Sequence, residues 1–110
     1  MTTREVPRIA ATLAFRFFLA KSLRKHTAVA RVMNLTPSSF SRTVNFKRDL
    51  KFVEVWAFCD LTGISISEIA DLTWVLAKDP VRLQQIKDAE HLPLVQRNVG
   101  YEKVLVSLLS

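Results

Sequence analysis

Along residues 8–25, RIAATLAFRFFLAKSLRK, apolar side chains fall at positions 9, 10, 13, 17 and 20. That spacing is the period of an α-helix with one buried face. Lys and Arg close its last turn, where they complement the carbonyl end of the helix dipole. A second, short helix is expected over 28–33, capped by Thr27, with Val29, Ala30 and Met33 inward. Asn34 stands where this helix must stop, since Asn tolerates the left-handed conformation better than most residues other than Gly. Thr36 is then a good cap, and Pro37 suits the first helical position, where its missing N–H costs nothing. The third helix therefore runs from Pro37 to about Asn45, with Phe40 and Val44 inward and Ser38, Ser39, Ser41, Arg42 and Asn45 outward.

Beyond the link at 46–51, FVEVWAFCDLTG is apolar on nearly every side, which predicts a central buried helix ended by Gly63. Phe40, Trp56, Phe58 and Trp74 are accordingly expected in the core. SISE at 65–68 is a capping box for a fifth helix from Ile66 to about Leu76. Asp79 and Pro80 open a sixth over 81–90, and Pro93 breaks the pattern. Tyr101, Val104, Leu105 and Leu108 then form one helical stripe in the tail. The expected class is all-α. Two glycines and four prolines are too few for the regular turns of a hairpin-rich protein.

Charge divides the chain. Residues 1–51 hold eleven Lys and Arg against Glu5 and Asp49, a net +9, whereas residues 52–110 carry a net −3. A basic half on a weakly acidic remainder is the electrostatic footprint of a nucleic-acid binder. The order of elements over 28–45 gives that charge a vehicle. Two short helices joined by a turn, with Ala30 inside the first, Asn34 in the turn and Phe40 six residues later, describe a helix-turn-helix. In that unit the second helix enters the major groove. Small serines let it approach closely, and Arg42 can form a bidentate fork with the O6 and N7 of a guanine. Lys47 and Arg48, just after the helix, suit the phosphate backbone.

The stretch TAVARVMNLTPSSFSRTVNFKRDLKFVEVWAFCDLTGISISEI resembles the helix-turn-helix domain of the lambda repressor and Cro family. The resemblance spans residues 9–76 and implies a five-helix domain, with 1–8 as a basic arm and 77–110 as a helical extension. It places base reading on Ser38, Ser39 and Arg42. It implies backbone contacts by Thr27, Arg31, Ser41, Asn45, Lys47 and Arg48. The arm residues Arg4 and Arg8 would reach along the backbone or into the minor groove. The sequence departs from the family in having Pro37 and Thr27 where Gln is usual, and in LTGIS, where Gly63 and Ile64 are displaced one step. The function implied is a sequence-specific regulator of transcription, of phage or prophage repressor type. It would act as a homodimer on a pseudo-palindromic double-stranded operator, in the cytoplasm of a bacterial host.

Residues 77–110 must pack their apolar stripe somewhere. The sequence allows a dimer interface through Tyr101, Val104, Leu105 and Leu108, or packing back on the fifth helix. Two other functions stay open: a protein-interaction module, such as an antitoxin or antirepressor using the apolar tail, and a DNA-bending recombination factor. An enzyme is not expected, because no Gly-rich phosphate loop, catalytic triad or paired carboxylates occur. No cofactor, metal or small-molecule ligand is expected either. His26 and His91 lack partners at ligand spacing, and the single Cys59 excludes an intrachain disulfide. Neither a signal peptide nor a membrane span is expected: the first eight residues are polar, and Arg16 interrupts the apolar run that follows.

Overall fold

Helix α1 begins earlier than its apolar period suggests. The computed structural model describes residues 2–88, and in it α1 spans Glu5–Ser22. The Glu5 amide donates to Thr2 Oγ1 at 3.3 Å, and the Thr2 amide donates to the Glu5 carboxylate at 3.0 Å. This is the reciprocal pattern of a capping box, written in the sequence as Thr2-x-x-Glu5. Pro7 falls in the first turn, where no helical N–H is required. The expected basic arm over 1–8 is therefore corrected: Arg8 is a helical residue.

The remaining helices are α2 (His26–Val32), α3 (Pro37–Val44), α4 (Phe52–Thr62), α5 (Ile66–Ala77) and α6 (Pro80–Asp88). The described residues thus form six helices and no strand. Helix α2 starts before the expected Thr27 cap. Lys25 is the extended residue that precedes it, and the Ala28 and Val29 amides bond to the Lys25 carbonyl. Thr27 consequently lies inside α2. The stop at Asn34 is as expected: its φ is +60°, and the Leu35 amide reaches back to the Ala30 carbonyl at 2.9 Å. Ser65 and Glu68 form the capping box of α5, and Gly63, at φ +77°, closes α4.

Helix α1 is the axis of the core. Ile9, Ala10, Leu13, Ala14, Phe15 and Leu19 are all buried, and α1 packs most extensively on α5, with α6 and α3 alongside. Phe15 joins three helices. Its ring meets Phe58 of α4 edge-on at 4.9 Å and Phe40 of α3 at 6.5 Å. Edge-to-face pairs add to the stabilisation from burial alone.

Helix α4 departs from expectation. It packs against α2 and α5, so only one side is buried. Phe58 and Cys59 lie in the core, but Phe52, Val53 and Trp56 are 63, 72 and 58% exposed. Trp74 on α5 is 66% exposed, so of the four aromatics expected in the core only Phe40 and Phe58 are there. The tail stripe Tyr101, Val104, Leu105 and Leu108, and the end of the expected sixth helix at 89–90, lie outside the described residues. Among the described residues no helix is long and apolar enough to cross a membrane.

Candidate nucleic-acid interface

Helix α3 is short, and eight residues would not hold a helix in water without outside support. Support comes at both ends. At the N-terminus Thr36 Oγ1 accepts from the Ser39 amide at 3.1 Å, and Pro37 follows at the first helical position. Phe40 and Thr43 are buried, and Val44 is half-buried. The burial of Thr43 fits the helical pattern because its hydroxyl donates to the Ser39 carbonyl at 2.8 Å.

The C-terminal end is gripped by three arginines. Arg8 donates to the Phe46 carbonyl at 2.9 Å and ion-pairs with Asp49. Arg16 donates to the Val44 carbonyl at 3.2 Å, with its guanidinium 5.5 Å from the centre of the Phe46 ring. Arg48 donates to Thr43 Oγ1 at 3.2 Å. These contacts place cations on the carbonyl end of α3, where they offset its partial negative charge. They also hold Phe46 at φ +63°, a left-handed backbone that a bulky residue avoids unless its surroundings enforce it.

Arg48 is bound further into the fold. Its two terminal nitrogens donate to the two Glu54 oxygens at 2.9 and 2.7 Å. The Lys51 amide also donates to Glu54, at 2.8 Å. Burial pushes the Glu54 carboxyl up, but the Arg48 fork, the Lys51 amide and the nearby positive charges outweigh it, leaving the group below the ordinary carboxylate value. The Glu54 hydrogen bonds raise the Arg48 guanidinium above its ordinary value in turn. Neither the charge division nor the helix-turn-helix pattern points to Glu54. Its signal was its place at the third position of α4, where a carboxylate can reach back to the capping amide.

The outward face of α3 is a stripe at helical spacing: Ser38, Ser41, Arg42 and Asn45 are all exposed. Ser38 and Arg42 make no side-chain hydrogen bond or ion pair among the described residues, and the same is true of Arg31 and Lys47. Thr27 and Arg31 are exposed one turn apart on α2. Three residues expected at the interface are engaged by other residues of the fold. Ser39 is half-buried, and its hydroxyl accepts from Thr36 at 3.0 Å. Arg8 and Arg48, expected on nucleic acid as arm and backbone contacts, are held by Asp49 and Glu54, because a carboxylate lies within reach of each. Asn45, expected on a phosphate, donates its amide to the Ser41 carbonyl at 2.8 Å. Arg4 is exposed at the start of α1.

Among the described residues no three His, Cys, Asp or Glu side chains are grouped to hold a metal ion. Burial raises the Cys59 thiol above its ordinary value, with the Glu68 charge adding to the effect, which disfavours the thiolate. No protein-family model, curated protein or solved structure matches the chain.

Proposed function

We propose that the chain is a sequence-specific DNA-binding regulator of transcription, of the lambda repressor and Cro type, with α3 as the helix that enters the major groove. The observation that carries this is the outward stripe of α3. A small hydroxyl (Ser38) and an arginine (Arg42) stand exposed, without side-chain partners among the described residues, on a helix fixed at both ends. A fixed helix loses little entropy on docking, so its contacts go into discrimination between bases. Arg42 is the reader of a guanine edge, Ser38 is the adjacent contact, and Arg31, Lys47, Ser41 and Thr27 are the phosphate contacts. Ser39, Arg8 and Arg48 act one layer behind, by holding the helix that reads.

Selection of bound sequences from a random duplex pool tests this. The native chain is expected to enrich a short motif containing a guanine. Arg42→Ala should weaken binding to the best site by about 1–3 kcal/mol and relax the preference at one base pair. If no motif is enriched, or if the Arg42→Ala motif is unchanged, α3 does not read bases in this way.

A further inference from the structure

Helix α4 exposes Phe52, Val53 and Trp56 on one stripe, with Phe52 and Trp56 in ring contact at 6.2 Å. At the exposures given above, these three present an apolar surface of about 400 Å². A patch of that size is as large as the largest on an ordinary monomer, and such patches are often functional. We propose that the occupant is the apolar stripe Tyr101, Val104, Leu105 and Leu108 of the same chain.

Where the described chain ends selects this face. Helix α6 packs on α1 and α5 through the buried Leu83 and Ile86. Near its end, the charge of Lys87 is felt at Glu5, whose carboxyl is held below its ordinary value first by the Thr2 amide and further by that charge. Glu5 is the first residue of α1, and Arg8 in the next turn holds Asp49, three residues before Phe52. The chain therefore leaves α6 on the side of the molecule where α4 begins. The other exposed tryptophan, Trp74, precedes Pro80 and so lies toward the opposite end of α6. The twelve residues 89–100 span up to about 40 Å when extended, enough to bring residue 101 from the end of α6 to α4.

Area selects the tethered segment over a second copy. Two such patches would bury about 800 Å² in total, below the roughly 1,200–2,000 Å² of stable interfaces between proteins. A segment of the same chain needs less, because the tether gives it an effective concentration of about a millimolar. This inference does not rest on DNA binding.

The two tryptophans make the test direct. In the full chain, Trp74→Phe leaves Trp56 as the sole indole, and Trp56→Phe leaves Trp74 as the reference. Acrylamide quenching is measured for each, alone and combined with Leu105→Asp and Leu108→Asp, with sedimentation at micromolar concentration. Trp56 should be shielded relative to Trp74 in the native tail, and the aspartates should raise its quenching to the Trp74 level without changing Trp74. The chain should remain monomeric throughout. Should the aspartate variants unfold, the comparison of Trp56 with Trp74 in the native tail still decides. The proposal is overturned if Trp56 is as accessible as Trp74 with the tail intact. It is equally overturned if Trp74 responds instead, or if shielding of Trp56 fades on dilution with loss of a dimer.

Discussion

Arg48 and Lys47 are neighbours of the same charge with different environments. Lys47 is exposed and its side chain has no partner among the described residues, whereas Arg48 closes a fork on a carboxylate whose side chain is only 6% exposed. Removing one partner of such a pair strands the other's charge. Arg48 keeps some contact with water, so Glu54→Gln should cost about 2–4 kcal/mol, at or below the usual range for a broken buried pair. A thermal melt would register that as a fall of about 4–8 °C per kcal/mol. The pH dependence has a definite sign. The folded Glu54 pKa is depressed, so its stabilisation is complete above the unfolded carboxylate value and is lost as pH falls through the lower folded one. Melts across the acid range should show this loss in the native chain and a shallower one in Glu54→Gln. Equal slopes would show that Glu54 contributes nothing to acid stability. None of this was legible in the basic composition of residues 1–51. Charge counts do not reveal that Asp49 and Glu54 face Arg8 and Arg48, a pairing set by how α1 and α4 meet the end of α3.

At the scale of elements, helix ends were more legible than helix faces. Thr36–Pro37, Ser65-x-x-Glu68, Asn34 and Gly63 each act within a few residues, so local sequence is enough to specify them. The Thr2-x-x-Glu5 cap is equally local but sits ahead of the apolar period, where α1 was not expected. Faces depend on neighbours. The apolar run of α4 carried no sign of which side α2 and α5 would cover, which is why Trp56 was expected inside. The ends of α3 yield two predictions. Thr36→Ala removes the acceptor of the Ser39 amide and should cost about 1 kcal/mol, read by denaturant unfolding; an unchanged midpoint would mean that water replaces the cap. If α3 docks on DNA, Lys47→Ala should lower the slope of log affinity against log salt by about 0.9, the value for one lost phosphate contact. Arg48→Ala should leave that slope unchanged, since Glu54 already neutralises it. A slope that falls with Arg48 and not with Lys47 would assign the phosphate contact to the wrong residue here.

For the whole molecule, the basic half serves two purposes. Arg8, Arg16 and Arg48 fix the end of α3, while Arg31, Arg42 and Lys47 remain on the surface. If α3 reads DNA as proposed, one copy reads only the few base pairs that it spans, and operator-grade affinity of about 10⁻⁸ M or tighter needs more contacts than that. The described residues measure 33 × 29 × 26 Å, close to the ~34 Å turn of B-DNA. On that proposal two copies would fit side by side on one face of a duplex, each with its own α3 in successive major grooves. The expectation is joint binding to an inverted pair of the selected half-sites whose centres are one turn apart. Inserting five base pairs rotates one half-site by about 180° to the far face of the duplex, at 10–10.5 base pairs per turn. The half-sites, their sequences and their phosphates are unchanged by that insertion. Only the geometry between copies is broken, so the steep titration of the paired site should become that of two independent sites. Gel-shift titrations on the two duplexes measure the difference. Identical curves would mean that the copies bind singly, and that specificity must come from one α3 and its flanking contacts alone.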